Sequence, residues 1–94
     1  MAHAVHTVLI DDERVIVNRF DFAPGDETGA HVHGYPYVIV PLTDGMLRVV
    51  MDDGTEVMAP LTMGLPYSRP RGVSHNVFNG GGAPLSFLEI EIKP

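Results

Sequence analysis

Short apolar runs, broken at close intervals by turn-forming residues, are the feature of this sequence that most limits its fold. The runs of Val, Ile, Leu, Phe and Tyr are bounded by Gly, Pro, Asp and Asn, and no long segment has apolar residues at helical spacing. Thr43-Asp44-Gly45 and Asp52-Asp53-Gly54 place glycine where tight hairpins need a positive φ. The pattern predicts an all-β chain with strands at 4–10, 14–22, 30–34, 37–42, 46–51, 55–60, 63–68, 73–79 and 85–92.

Short strands that recur about every 8–12 residues favour a closed β architecture, either a sandwich or a jelly-roll barrel. A chain of 94 residues has room for one such domain, so we assign residues 1–94 to a single domain. A core of this size is marginally stable unless a metal ion or a partner subunit adds to it. We expect a homodimer, because an edge strand such as 4–10 needs a cover.

The charge and the residue composition exclude several classes of function. Six basic residues against twelve acidic ones give a formal charge of −6, and the basic residues are scattered, so we expect no nucleic-acid partner. No stretch approaches the roughly 20 apolar residues of a membrane span, and the N-terminus does not resemble a secretory signal. We therefore expect a cytoplasmic protein without a membrane partner. Because the chain has no cysteine, a metal ion would need histidine, carboxylate or water ligands.

Three of the five histidines lie where they could hold such an ion. His31 and His33 are two residues apart in a predicted strand, so both imidazoles leave the same face of the sheet. His75 lies in a later strand that follows a Pro-x-Gly turn, and strands remote in sequence can be neighbours in a closed sheet. Three neutral imidazoles would hold a divalent first-row metal and leave positions open. A His-x-His pair alone is weak support, because most histidines of β-proteins are surface or satisfied core residues.

The spacing around these histidines resembles that of a known family, the cupins. The two stretches that carry the resemblance are Gly25-x5-His31-x-His33-x4-Val38-x6-Gly45 and Gly64-x5-Pro70-x-Gly72-x2-His75-x3-Asn79. The first is similar to the first cupin signature, and the second matches the other cupin signature at each of its fixed positions. The resemblance implies a jelly-roll barrel with one metal ion inside, held by His31, His33 and His75.

One position departs from the first cupin signature and limits the resemblance to a subset of the cupins. Where cupins usually carry a glutamate ligand, this chain has Val38, or Tyr37 if the gap is one residue shorter. The chain is therefore similar to the three-histidine cupins, whose members include iron dioxygenases acting on thiols or β-diketones. The stretch 33–45 resembles that of small single-domain cupins named for β-alanine degradation, which implies a family but not a substrate.

Together with the three histidines, this resemblance implies a metal-dependent oxidoreductase, of dioxygenase type, that acts on a small organic substrate inside the barrel. Iron is the expected metal, although three imidazoles also accept nickel, zinc or copper. Tyr37, Val38 and Arg48 are candidate pocket residues, and Glu27 is a candidate partner for a ligand imidazole. Two alternatives stay open: a module that binds a metal or a small molecule without transforming it, and a structural dimeric barrel with a vestigial site.

Overall fold

A computed structural model describes residues 2–94, and all of its regular secondary structure is β-strand. This confirms the all-β prediction. Within that part of the chain, no helix is long and apolar enough to span a membrane. The strands are β1 (Val5–Asp11), β2 (Val15–Phe22), β3 (His31–Val32), β4 (Tyr37–Pro41), β5 (Gly45–Met51), β6 (Glu56–Leu61), β7 (Tyr67–Arg69), β8 (Ser74–Asn79) and β9 (Leu85–Ile92).

The strands form two antiparallel sheets with the topology of a jelly-roll. The five-stranded sheet has the order β1-β2-β9-β4-β7, and the four-stranded sheet has the order β3-β8-β5-β6. Strands that are distant in the chain are neighbours in space, since β9 pairs with both β2 and β4 and β8 pairs with both β3 and β5. The predicted jelly-roll is therefore confirmed, and its crossovers bring β3 and β8 side by side.

Two predicted strands are shorter than expected. Of the segment 63–68, only Tyr67 and Ser68 lie in a strand, the short β7 (Tyr67–Arg69), because Met63 and Gly64 form a turn in which Gly64 has a φ of 77°. The backbone N–H groups of Gly64 and Leu65 donate to the carbonyl oxygens of Pro41 and Thr62, which closes this turn. The segment 30–34 contributes only His31–Val32 to a regular strand.

The core lies between the sheets and is built from inward-facing residues of alternating strand positions. Phe22 and Leu85 are almost fully buried, each with 1% of its surface exposed. The rings of Phe22 and Phe87 lie 5.4 Å apart, and Phe20 packs against both. Burial of such aromatic side chains supplies much of the stability available to a small domain.

Gly45 has a different role from the one that its sequence context predicts. It begins β5 and does not have a positive φ, whereas Gly54 in the next turn does, with a φ of 89°. A Cβ atom at position 45 would lie 2.9 Å from Cδ2 of Leu85. Gly45 is therefore required by the close approach of the core residue Leu85 rather than by the backbone conformation of the turn.

Candidate metal centre

Two strand pairings bring the three predicted ligand histidines together. His31 in β3 lies directly opposite His75 in β8, so their side chains leave the same face of the four-stranded sheet. His33 follows two residues after His31 and keeps the same orientation. The sequence pattern therefore places all three imidazoles at one end of the space between the sheets.

The backbone of His33 is fixed by the turn between β7 and β8, although His33 lies outside the regular strand. Its N–H group donates to the carbonyl oxygen of Val73 at 2.9 Å, and its own carbonyl oxygen accepts from the N–H group of Gly72 at 2.9 Å. Gly72 has a φ of 96°, a conformation that glycine adopts without strain. The Pro70-x-Gly72 turn, which belongs to the second cupin signature, thus positions His33, a candidate metal ligand from the first signature.

The three imidazoles converge through their Nε2 atoms. Nε2 of His33 lies 3.0 Å from Nε2 of His31 and 3.0 Å from Nε2 of His75. The rings meet edge-on, with interplanar angles of 75° to 86° and centroid separations of 4.7 to 5.0 Å. This is an arrangement in which one ion could contact one nitrogen from each ring.

The atoms beside Nδ1 of His31 and Nδ1 of His33 indicate where these two rings carry a proton. Nδ1 of His31 is 2.7 Å from the carbonyl oxygen of Gly29, which can only accept a hydrogen bond, so Nδ1 donates. Nδ1 of His33 is 3.2 Å from Oε1 of Glu89, and the carboxylate favours a proton there. Held in this way, the two rings turn their Nε2 atoms toward each other, and a cation bound beside these nitrogens would be shared by both. The residues present fit a divalent metal ion.

The electrostatics at His75 favour an uncharged ring. Burial, followed by the neighbouring imidazoles of His31 and His33, lowers the pKa of His75 to about 4. At neutral pH this ring is uncharged, so one of its two nitrogens has a lone pair that can bind an ion.

Glu89 is the carboxylate partner of His33, and the sequence analysis did not identify it. It is buried in β9, with 6% of its surface exposed, on the same face of the strand as the core residue Phe87. The signal was present in the alternation of the strand, where Leu85, Phe87 and Glu89 share one face. Glu27, which the sequence suggested for such a role, instead accepts a hydrogen bond from Nδ2 of Asn76 at 3.1 Å.

We predict that Glu89→Gln lowers the affinity for a divalent metal about 10- to 100-fold, the usual effect of removing the outer partner of a ligand. The amide keeps the shape of the side chain but loses the charge that holds the Nδ1 proton of His33. Isothermal titration with zinc measures the effect, and Glu56→Gln, which alters an exposed ion pair with Arg48, is the matched control. Equal affinities for the two variants would contradict this role.

The imidazoles open into a cavity of about 290 Å³ between the two sheets. Tyr37 lines this cavity, and its ring stacks on that of His33 with the centroids 3.8 Å apart. Burial, followed by the charge of Glu89, raises the pKa of Tyr37 to about 12. Tyr37 therefore occupies the inward position near which the first signature usually has its glutamate.

Val38 and Arg48 do not line the cavity, which corrects their selection as pocket residues. Val38 lies between Tyr37 and Ile39, which both face inward, so its own side chain leaves the opposite face of β4. Arg48 alternates in the same way with Leu47 and Val49. Its guanidinium lies 4.0 Å from the centroid of the Phe78 ring, and its Nη1 atom lies 2.6 Å from Glu56 on the outer face of the sheet.

Comparisons with known proteins agree with this fold. No protein-family model matches the sequence. The chain is 50% identical over 90 residues to the beta-alanine degradation protein BauB of Pseudomonas aeruginosa, covering 96% of this chain and 94% of that protein. The crystal structure of a cupin domain from Bordetella pertussis is 47% identical and has a TM-score of 0.94, covering 99% of this chain and 96% of that one.

More distant structures share the same architecture. An RmlC-like cupin from Methanocaldococcus jannaschii has a TM-score of 0.80 at 16% identity, covering 98% of this chain and 82% of its own, which bears on the fold alone. The polyketide cyclase RemF of Streptomyces resistomycificus has a TM-score of 0.73 at 25% identity, covering 96% of this chain and 65% of its own.

The fold and the convergent histidines define the chain as a cupin. Within the cupins, it belongs to the family of small proteins that includes BauB of Pseudomonas aeruginosa.

Proposed function

We propose that this cupin is an iron-dependent oxidoreductase of dioxygenase type that acts on a small organic substrate in the cavity. The observation that carries the proposal is the set of three Nε2 atoms that converge at the wall of a largely apolar cavity. When bound, divalent iron would supply a redox-active centre with coordination positions open to small molecules.

The donor set supports a redox-active first-row ion. Nε2 of His33 lies 3.0 Å from the Nε2 atoms of both His31 and His75, and imidazole nitrogens bind divalent iron as well as nickel, copper and zinc. Because this group of three contains no carboxylate, iron held by it would keep its full charge and would have positions free for small molecules.

Each part of the chain has a role in this proposal. His31, His33 and His75 hold the ion, and Glu89 orients the ring of His33 through its Nδ1 atom. Leu47, together with other apolar residues of the four-stranded sheet, excludes water from the space where the substrate would lie. The name of BauB, which refers to β-alanine degradation, is consistent with a catabolic substrate of a few carbon atoms.

Oxygen consumption tests this function. Iron-loaded protein is expected to consume oxygen with at least one member of a panel of small thiols, β-diketones and catechols. Zinc-loaded protein and His75→Ala are expected to consume none. If fully iron-loaded protein is inactive on the whole panel, the dioxygenase assignment loses its support. Turnover of a substrate by the zinc-loaded form would indicate chemistry without redox change, of the kind that the name of RemF suggests for that protein.

We also propose that the protein is a homodimer and that β1 lies in the interface. β1 is the edge of the five-stranded sheet, and it exposes the apolar residues Val5, Val8, Leu9 and Ile10, each between 48% and 62% exposed. An edge strand with unpaired backbone groups and apolar side chains is suited to pairing with a second copy.

Light scattering at micromolar concentration is expected to give twice the mass of one chain for the parent protein. Val8→Lys is expected to shift the population to monomer, because it places a charge in the proposed interface. Met63→Lys, at an exposed loop position, is the matched control and is expected to remain dimeric. A monomeric parent would exclude the dimer.

A further inference from the structure

The two walls of the cavity differ in chemistry. The four-stranded sheet contributes, apart from the two ligands His31 and His75, only apolar side chains from β5, β6 and β8. The five-stranded sheet contributes Tyr37, Tyr67, Arg69 and Glu89 along with two apolar residues. A molecule that fills this space therefore needs one apolar side and one polar side.

The side of the cavity formed by the five-stranded sheet is its polar wall, and the hydroxyl of Tyr37 is the first indication of the ligand that this wall binds. Tyr37 is only 3% exposed, and stacking on His33 fixes its ring. Within residues 2–94 no hydrogen bond is formed by this hydroxyl or by that of Tyr67, and neither oxygen is among the buried atoms that lack a partner. Both side chains line the cavity, so these two hydroxyls are free to donate to an acceptor group of a ligand there.

Arg69 adds a positive charge beside these hydroxyls. It lies two residues after Tyr67 on the same face of β7, with its guanidinium carbon 4.6 Å from the centroid of the Tyr67 ring. The register of β4 and β7 places Arg69 directly opposite Tyr37. Within residues 2–94 its guanidinium forms one hydrogen bond, from Nη1 to the carbonyl oxygen of Ser68, at 2.8 Å.

The charge of Arg69 is not neutralised within the described part of the chain. Arg19 and Arg48 each pair with a carboxylate, whereas no carboxylate lies within 4.0 Å of the Arg69 guanidinium. Glu89, the carboxylate that lines the cavity, is held against His33. With a divalent ion on the histidines, the cavity would be net positive and would attract an anion.

We infer that the substrate is a small organic acid whose carboxylate is bound by Tyr37, Tyr67 and Arg69. That the bound acid is a substrate rests on the proposed function. The carboxylate site itself does not require the metal. The apolar body of the acid lies against β5 and β6, and its reactive end lies at the three histidines. The cavity of about 290 Å³ is at the lower limit of ligand sites, roughly 300 Å³, which restricts the acid to a short chain.

Calorimetric titration with butyrate and with its neutral isostere butyramide tests this inference. Both metal-free and zinc-loaded protein are used, and the metal content of every sample is measured. Butyrate is expected to bind at least about tenfold more tightly than butyramide in both forms, as charged hydrogen bonds require. Arg69→Met is expected to remove this preference, and Tyr67→Phe to weaken butyrate binding about two- to tenfold.

Arg71→Met is the matched control, because Arg71 lies two residues further along the chain and lines a different groove. It is expected to keep the preference of the parent for butyrate. Equal effects of the two arginine substitutions, or equal binding of butyrate and butyramide, would overturn the carboxylate site. Binding of butyrate only to zinc-loaded protein, unaffected by Arg69→Met, would also overturn it, since the metal would then be the anion site. If the parent protein takes up no metal, the proposed function is contradicted. The comparison of butyrate with butyramide on metal-free protein still determines whether the carboxylate site exists.

Discussion

The His33→Ala variant is expected to lose metal binding. Nε2 of His33 is the central nitrogen of the site, because it lies 3.0 Å from the Nε2 atoms of both His31 and His75. Its removal leaves only these two imidazoles to hold an ion. It also leaves the buried carboxylate of Glu89 without its partner. The loss of affinity should exceed the 10- to 100-fold effect expected for an outer partner such as Glu89.

Thermal unfolding with and without zinc measures this effect. Zinc at about 100 times its dissociation constant should stabilise the parent by about 2.7 kcal/mol, because the ion binds only the folded chain. The same concentration should leave the midpoint of His33→Ala unchanged. His3→Ala, at an exposed position near the N-terminus, is the matched control and should respond as the parent does. A zinc-dependent shift retained by His33→Ala would show that the ion binds elsewhere.

Phe22→Ala is expected to have the largest effect on folding. Phe22 is 1% exposed, and its ring packs against those of Phe20 and Phe87 with centroids 6.4 and 5.4 Å away. Removal of a buried phenylalanine ring usually costs about 3–5 kcal/mol, through lost burial and the cavity left behind. The whole free energy of unfolding of a domain is only about 5–15 kcal/mol, so the variant should be close to unfolded.

Urea unfolding of metal-free protein gives the comparison. Phe78→Ala is the control, because Phe78 is only partly buried and its ring lies under the guanidinium of Arg48 on the outer face of the sheet. The Phe78 variant should lose much less stability than the Phe22 variant. Equal losses would mean that the core is not centred on Phe22.

The fold was largely predictable because alternation and turn residues determine the strands. The β9 prediction, 85–92, matches the observed bounds, since Leu85, Phe87 and Glu89 alternate regularly with residues of the other face. The 63–68 prediction was wrong over its first four residues. Apolar Met63 and Leu65 resemble strand residues, but Gly64 turns the chain between them, and both side chains are exposed.

The site was predictable only where local spacing determines the geometry. Period-two alternation places His31 and His33 on one face, and the second signature singles out His75. Val38 and Arg48 were misplaced because their neighbours on both sides are apolar, so alternation does not show which face is the inner one.

The partner of His33 could not be derived in this way. Glu89 reaches His33 only through the sheet order, in which β9 lies beside β4, and no short sequence window contains that information. A second pairing, that of β4 with β7, places Arg69 opposite Tyr37, so the polar wall of the cavity also follows from the topology rather than from a motif.

Elemental analysis of the untagged protein, produced with iron supplied and purified without chelator, tests the metal site most directly when His75→Ala is measured in parallel. Three converging imidazoles predict close to one metal ion per chain in the parent and none in the variant, with iron as the main metal. Parent protein that contains no metal and takes up neither iron, nickel nor zinc would contradict the metal centre.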